Sequence, residues 1–122
     1  MKLITAIIRP EKLDELIQVV IDNGGHGLTA TEVRGFGRQF GQLGHGAVNT
    51  ELGDLGLPAN RTPALLPKLR LDILVLDDNA ETMVEAIAKH ARTDTIGDGK
   101  IWVSTLDSAL RVRTGERDDA AL

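Results

Sequence analysis

Two β-α-β blocks separated by a glycine- and proline-rich stretch predict an α+β fold of the split βαβ, ferredoxin-like kind. That is a βαββαβ sandwich with an antiparallel sheet and both helices on one face. Three observations carry the prediction. Short apolar runs at residues 3–8 and 68–76 read as strands. Each is followed by apolar residues at helical spacing. Each helical stretch then meets glycines that lead into another β-prone run.

Residues 3–8 (LITAII) form the first strand, and Arg9-Pro10 ends it. Pro10 sits where the first turn of a helix begins. Leu13, Leu16, Ile17, Val20 and Ile21 follow the i, i+3, i+4, i+7, i+8 rule and give that helix one apolar face. Gly24-Gly25 ends it. Residues 27–36 carry β-branched Thr29, Thr31 and Val33 and read as the second strand. Segment 37–65 holds Gly37, Gly41, Gly44, Gly46, Gly53, Gly56, Pro58 and Pro63 with no sustained period. It reads as a long loop of heterogeneous conformation; loops beyond about 12–15 residues are usually functional or disordered. Residues 68–76 (KLRLDILVL) form the third strand, with Leu69, Leu71 and Ile73 on one face. Residues 77–79 start a helix whose face is Ala80, Met83, Val84 and Ile87. Gly97-Asp98-Gly99 then turns into a fourth strand at 101–104.

The bulk properties fit one domain, 1–122, with a small core. Hydrophobic residues make up 42% of 122 positions, and two Phe, one Trp and no Tyr make that core aliphatic. The net charge of −4, without a Lys/Arg block, sets nucleic acid aside as a partner. Zero cysteines exclude disulfides, thiolate metal sites and cysteine nucleophiles. The apolar start MKLITAIIRP is too short for a signal peptide. No run reaches the roughly 18 apolar residues that insert into a membrane. The expectation is a soluble, cytoplasmic protein.

No catalytic set emerges, so an enzyme is not expected. There is no G-x-S-x-G motif, and the three histidines (His26, His45 and His90) lack metal-ligand spacing. His26 and His90 read as surface or helix-end residues, and His45 falls in the long loop. The chemistry-bearing signals suit polyphosphate instead. In Gly97-Asp98-Gly99-Lys100 the glycines let backbone N–H groups approach an anion and the lysine neutralises it. Arg111 and Arg113 flank a Thr-Gly turn farther on. Gly35-Phe36-Gly37-Arg38-Gln39 opens the long loop. None is a Walker A or a G-x-G-x-x-G fingerprint. Each also has a plainer reading: a hairpin-like turn, the exposed face of a terminal strand, and a loop entrance, respectively.

Taken together, MKLITAIIRPEKLDEL, TEVRGFGRQ, LPKLRLDILV, IGDGKIWV and RVRTGERDDAAL resemble the PII signal-transduction family nearly end to end. The resemblance implies a homotrimeric, PII-like assembly with nucleotide in clefts between subunits. Gly35, Phe36, Gly37 and Arg38 would line the nucleotide. Gly97, Asp98, Gly99 and Lys100 would hold ATP or ADP phosphates, and Arg111 and Arg113 would reach them from the neighbouring subunit. Gln39 would complete a site for Mg²⁺ with ATP and for 2-oxoglutarate. Lys68 would pair with a carboxylate of that acid. Segment 37–65 would be a T-loop-like insertion that docks on a membrane transporter or a metabolic enzyme as ligands shift its states.

This chain departs from the family pattern in several places. The loop is longer by roughly ten residues. The absence of tyrosine excludes tyrosine uridylylation or adenylylation, and the absence of a loop serine excludes serine phosphorylation there; Thr50 and Thr62 remain. The Thr-Gly-Lys expected before Ile96 is Thr93-Asp94-Thr95, which removes a cation and adds an anion and so favours diphosphate or monophosphate (ADP or AMP) over triphosphate. Arg9 and Glu11 replace the more usual Lys and Phe. Two readings follow. One is a nitrogen and carbon sensor of ATP, ADP and 2-oxoglutarate. The other is a paralogue with a changed effector, such as bicarbonate in inorganic-carbon or carboxysome regulation. An unrelated ferredoxin-like enzyme or structural trimer stands third.

Overall fold

A computed structural model describes residues 1–37 and 65–122. Strand β1 (Lys2–Ile8) leads through a 3-10 turn, Pro10–Lys12, into helix α1 (Leu13–Asp22). Strands β2 (Thr29–Gly35) and β3 (Leu66–Val75) follow, then helix α2 (Asp77–Ala91) and strand β4 (Lys100–Thr105). A second 3-10 turn, Asp118–Ala121, lies near the C-terminal end.

The four strands form one sheet in the order β2-β3-β1-β4, with every neighbouring pair antiparallel. Strands β1 and β2 are parallel to each other with β3 between them, the split βαβ arrangement expected from sequence. The alternation of strand residues decides which face is buried. Ile4, Ala6 and Ile8 of β1 and Leu71, Ile73 and Val75 of β3 point at the helices and are buried. They meet Leu16, Val19 and Val20 of α1 and Ala80, Met83, Ile87 and Ala91 of α2. Burying one such Leu, Ile or Met side chain is worth about 1.5–3 kcal/mol. The open face carries Thr5, Asp72, Arg70 and Trp102. There Thr5 Oγ1 donates to Asp72 Oδ1 at 2.9 Å, which satisfies the one buried polar side chain of the described core.

Two local expectations are corrected. Pro10 begins a 3-10 turn, and the α-helix starts only at Leu13. The buried stripe of α1 is Leu16, Val19 and Val20, while Ile17 and Ile21 are 36% and 58% exposed. Both stripes obey the same i, i+3, i+4 spacing and share Leu16 and Val20, so periodicity alone did not fix the rotation of the helix. Across the helices, His90 Nδ1 lies 2.9 Å from Glu15 Oε1, and Asn79 Nδ2 donates to the Asn23 carbonyl at 2.8 Å.

The register defines two ends of the sheet. Ile8 opposite Leu69, Gly35 opposite Leu66, and Lys100 opposite Ile7 lie together at one end. Lys2, Val75 and Thr105 lie at the other.

Candidate functional site

The end of the sheet where β1 and β2 finish and β3 and β4 begin gathers most of the residues singled out in the sequence. The turn before β4 is shaped by two glycines in the left-handed region, Gly97 at φ 105 and Gly99 at φ 100. At Gly99 there is also no room for a side chain. A Cβ there would lie 1.7 Å from the Ile7 carbonyl oxygen and 2.7 Å from its carbon. The turn therefore rests directly on the backbone of β1, and Lys100 enters the ladder opposite Ile7.

Asp98 points back into the turn. Arg9 Nε donates to its Oδ1 at 3.0 Å, and the Thr93 N–H donates to its Oδ2 at 2.7 Å. The Thr93 hydroxyl also donates to Oδ1. Burial pushes the carboxyl up, but the Thr93 hydroxyl and N–H and the Arg9 guanidinium together hold it well below the usual carboxylate range. Asp98 is thus an ionised brace whose carboxylate is taken up by Arg9 and Thr93. On the rim, Asp94 is 81% exposed and paired with Arg92 at 3.0 Å. The extra anion noticed in the sequence is therefore neutralised locally.

Lys68 approaches the same turn from β3, and its Nζ donates to the Gly97 carbonyl at 2.5 Å. Desolvation lowers its pKa, and the positive charge of Arg9 adds to that; Glu11 and Asp98 oppose it. Lys68 also lines an open cleft of about 540 Å³ with Pro10, Glu32, Arg34 and Pro67, within the size range of small-molecule sites. Gly35 closes β2 opposite Leu66, Phe36 is 55% exposed, and a Cβ at Gly35 or Gly37 would meet open space. Arg38 and Gln39, and with them the expected Mg²⁺ ligand, lie outside the described residues, as do His45, Thr50 and Thr62.

Arg111 and Arg113 are placed elsewhere and differently. They do not sit on a terminal strand. A single bridge, Leu110 to Arg117, closes a short turn in which the Arg111 N–H donates to the Glu116 carbonyl at 2.9 Å. The Arg111 guanidinium donates to Glu116 Oε1 at 3.1 Å and to the Leu122 carbonyl at 2.9 Å. Arg113 is exposed beside Val112, which is 93% exposed. This turn follows Thr105, at the far end of the sheet. Arg111 is tied to Leu122, which lines one cleft with Val75 and Leu76 at that end, while β4 itself spans roughly 20 Å at about 3.3 Å per residue.

Sequence reasoning missed Arg9, Thr93 and Thr95 as members of the site. Arg9 is 89 residues from Asp98, and no spacing rule links two strand ends that only the sheet brings together.

Comparisons with known proteins fit this frame. A family model described as nitrogen regulatory protein P-II matches residues 1–116. The chain is 41% identical over 122 residues to nitrogen regulatory protein GlnK of Escherichia coli strain K12, covering 100% of each chain. It is 43% identical over 122 residues to nitrogen regulatory protein P-II of Cereibacter sphaeroides, again with 100% of each covered. It is also 43% identical to nitrogen regulatory protein P-II 2 of Methanothermobacter thermautotrophicus, over 100% of this chain and 97% of that one. The chain belongs to the P-II family. The P-II match takes in the 93–100 turn, Lys68 and the Arg111–Glu116 turn alike; residues 117–122, with the 3-10 turn Asp118–Ala121, lie beyond it. P-II proteins are signal-transduction regulators that act on target proteins. Among the described residues no helix is long and apolar enough to cross a membrane, and no cluster of three or more His, Asp or Glu could hold a metal.

Proposed function

We propose that this P-II protein is a nucleotide-dependent regulator of nitrogen or carbon metabolism, with ATP or ADP bound between subunits. The observation that carries the reading is the separation of its two cationic turns. Lys100 opens β4 at one end of the sheet, and Arg113 lies eight residues past Thr105 on a turn tied through Leu122 to the other end, so a single copy does not bring both to one phosphate chain. Both turns serve one nucleotide only if a neighbouring copy brings its Arg113 to this copy's Lys100. The homotrimer implied by the resemblance supplies that geometry.

The donors at the turn fit an anion. Two glycines free the backbone to approach phosphate, and Lys100 and Lys68 bring positive charge. Mg²⁺ held at Gln39 would neutralise ATP phosphates and admit 2-oxoglutarate, and Lys68 would take a carboxylate of that acid. To do so it must give up the Gly97 carbonyl. Effector binding would in this way be felt at the phosphate turn, and residues 37–65 would pass the state to a transporter or enzyme. A second reading has ADP or AMP with bicarbonate as effector. It is favoured by Thr95, which replaces an ammonium by a hydroxyl and leaves one cation fewer for a third phosphate.

Calorimetric titration with ATP and with ADP, Mg²⁺ present, tests the reading, repeated with 2-oxoglutarate and with bicarbonate. Lys100→Ala and Arg113→Ala should each weaken nucleotide binding at least tenfold. Wild-type affinity in both would sink the cleft assignment. Tighter ATP binding with 2-oxoglutarate, lost in Lys68→Ala, selects the first reading; a bicarbonate response selects the second.

A further inference from the structure

We propose that Arg9 is the positioning residue of the phosphate turn, fixing residues 93–98 through Asp98, Thr95 and the Ile96 carbonyl so that Gly97, Gly99 and Lys100 meet an anion in a turn already formed. This rests on the nucleotide reading above and names how its site is held.

Arg9 follows directly on Ile8, which the ladder fixes opposite Leu69, so its backbone is anchored in the sheet. Its side chain is only 19% exposed. Besides the Asp98 bond, its Nη2 donates to Thr95 Oγ1 at 2.8 Å and to the Ile96 carbonyl at 2.9 Å. Asp98 in turn holds the Thr93 N–H, and the Thr93 and Thr95 hydroxyls share a hydrogen bond at 2.6 Å. The result is a closed ring from Arg9 to Asp98, Thr93, Thr95 and back to Arg9. A planar guanidinium can serve three acceptors in fixed directions, whereas an ammonium acts as a compact point charge.

The ring also joins two features that look unrelated in the sequence. Arg9 stands where lysine is more usual in the family, and Thr95 stands where lysine is expected before Ile96. They touch at 2.8 Å. An ammonium at position 95 could not accept a hydrogen bond, but the threonine hydroxyl does. The hydroxyl at 95 is therefore an acceptor that the fork of Arg9 uses. A ligand that meets an ordered turn does not spend binding energy on ordering it. Lys68 adds a second tie at the Gly97 carbonyl, between the Ile96 and Asp98 groups that Arg9 holds.

The test combines calorimetry with ATP and ADP on the full chain and amide hydrogen exchange on the ligand-free chain. Arg9→Gln and Asp98→Asn should each weaken nucleotide binding by about tenfold, and the double variant by about the same factor, not their product. Arg9→Lys keeps the charge but loses the fork, and should still weaken binding by at least about threefold. In Arg9→Gln the Thr93 amide should exchange about tenfold faster, with the Val19 and Ile87 amides unchanged. Wild-type affinity in Arg9→Lys would make Arg9 a mere contribution to local charge and overturn the proposal. So would additive losses in the double variant, or unchanged Thr93 exchange in Arg9→Gln. Lys100→Ala separates the two claims. If it binds nucleotide like wild type, the nucleotide reading fails, and Thr93 exchange still decides whether Arg9 orders the turn.

Discussion

The turn before β4 and the turn after it look alike in sequence: glycine, cation, and a carboxylate nearby. They are built in opposite ways. At 93–100 the bracing cation is Arg9, brought from the end of β1, and Lys100 is left exposed. At 111–116 the brace is the turn's own Arg111, tied to Glu116 and the Leu122 carbonyl, and Arg113 is left exposed. Each turn thus has cations that hold its backbone and one that faces outward. A cation near a glycine in sequence does not say which part it plays. The sheet decides, through what it places behind the turn.

The glycines differ in the same sense. Gly99 has a left-handed φ and a carbonyl pressed against it, whereas Gly115, at φ 73, has nothing within 4 Å of where a Cβ would be. Gly99→Ala should cost about 3 kcal/mol, from forced displacement of β1 added to the strained φ. Gly115→Ala should cost about 1 kcal/mol, from φ alone. Urea unfolding midpoints of the two variants compare them directly. Equal losses would mean that the Ile7 contact contributes nothing.

Arg111→Ala should cost about 1.5 kcal/mol, because it removes a charge-assisted bond to Glu116 and the tie to the chain end. Val112→Ser, one residue away and almost fully exposed, should stay within about 0.5 kcal/mol. Thermal unfolding of both variants checks this. A large loss in Val112→Ser would show that the tip is held by contacts absent from a single chain.

The smallest effect belongs to the helix pair. The hydrogen bond from His90 lowers the Glu15 pKa, desolvation opposes it, and Lys12 lowers it further. A carboxyl lowered in the folded state adds stability above its unfolded pKa and loses it as pH falls through the folded value. Glu15→Gln should therefore lower the melting temperature slightly at pH 7. The difference from wild type should disappear as pH falls below about 4. A difference that does not shrink as the pH falls would contradict a stabilising Glu15 carboxylate.

Much of the fold was legible because the strands and helices of this chain carry strong local patterns. The LITAII run, the Ala80–Met83–Ile87 stripe and the Gly97-Asp98-Gly99 turn each specify their element without help from afar. The rotation of α1 was not legible, since two apolar stripes share Leu16 and Val20 and only packing on the sheet chooses between them. Lys68 was named only through the resemblance, whereas the glycines and Lys100 of the candidate site could be singled out from residue type. Arg9 could not, because its role exists only where the ends of β1 and β4 meet. The outward position of Asp94 and its pairing with Arg92 were hidden for the same reason.

Under the proposed function, one nucleotide site would draw Lys100 from one copy and Arg113 from another. The most direct test mixes two disabled chains. Lys100→Ala and Arg113→Ala proteins, each weak in nucleotide binding alone, would be unfolded together, refolded as hybrids and titrated with ATP and ADP. The account predicts that a fraction of wild-type sites returns, because some interfaces then pair an intact Lys100 with an intact Arg113. Hybrids that bind no better than either parent would contradict it and place both cations in one chain's site, or in none.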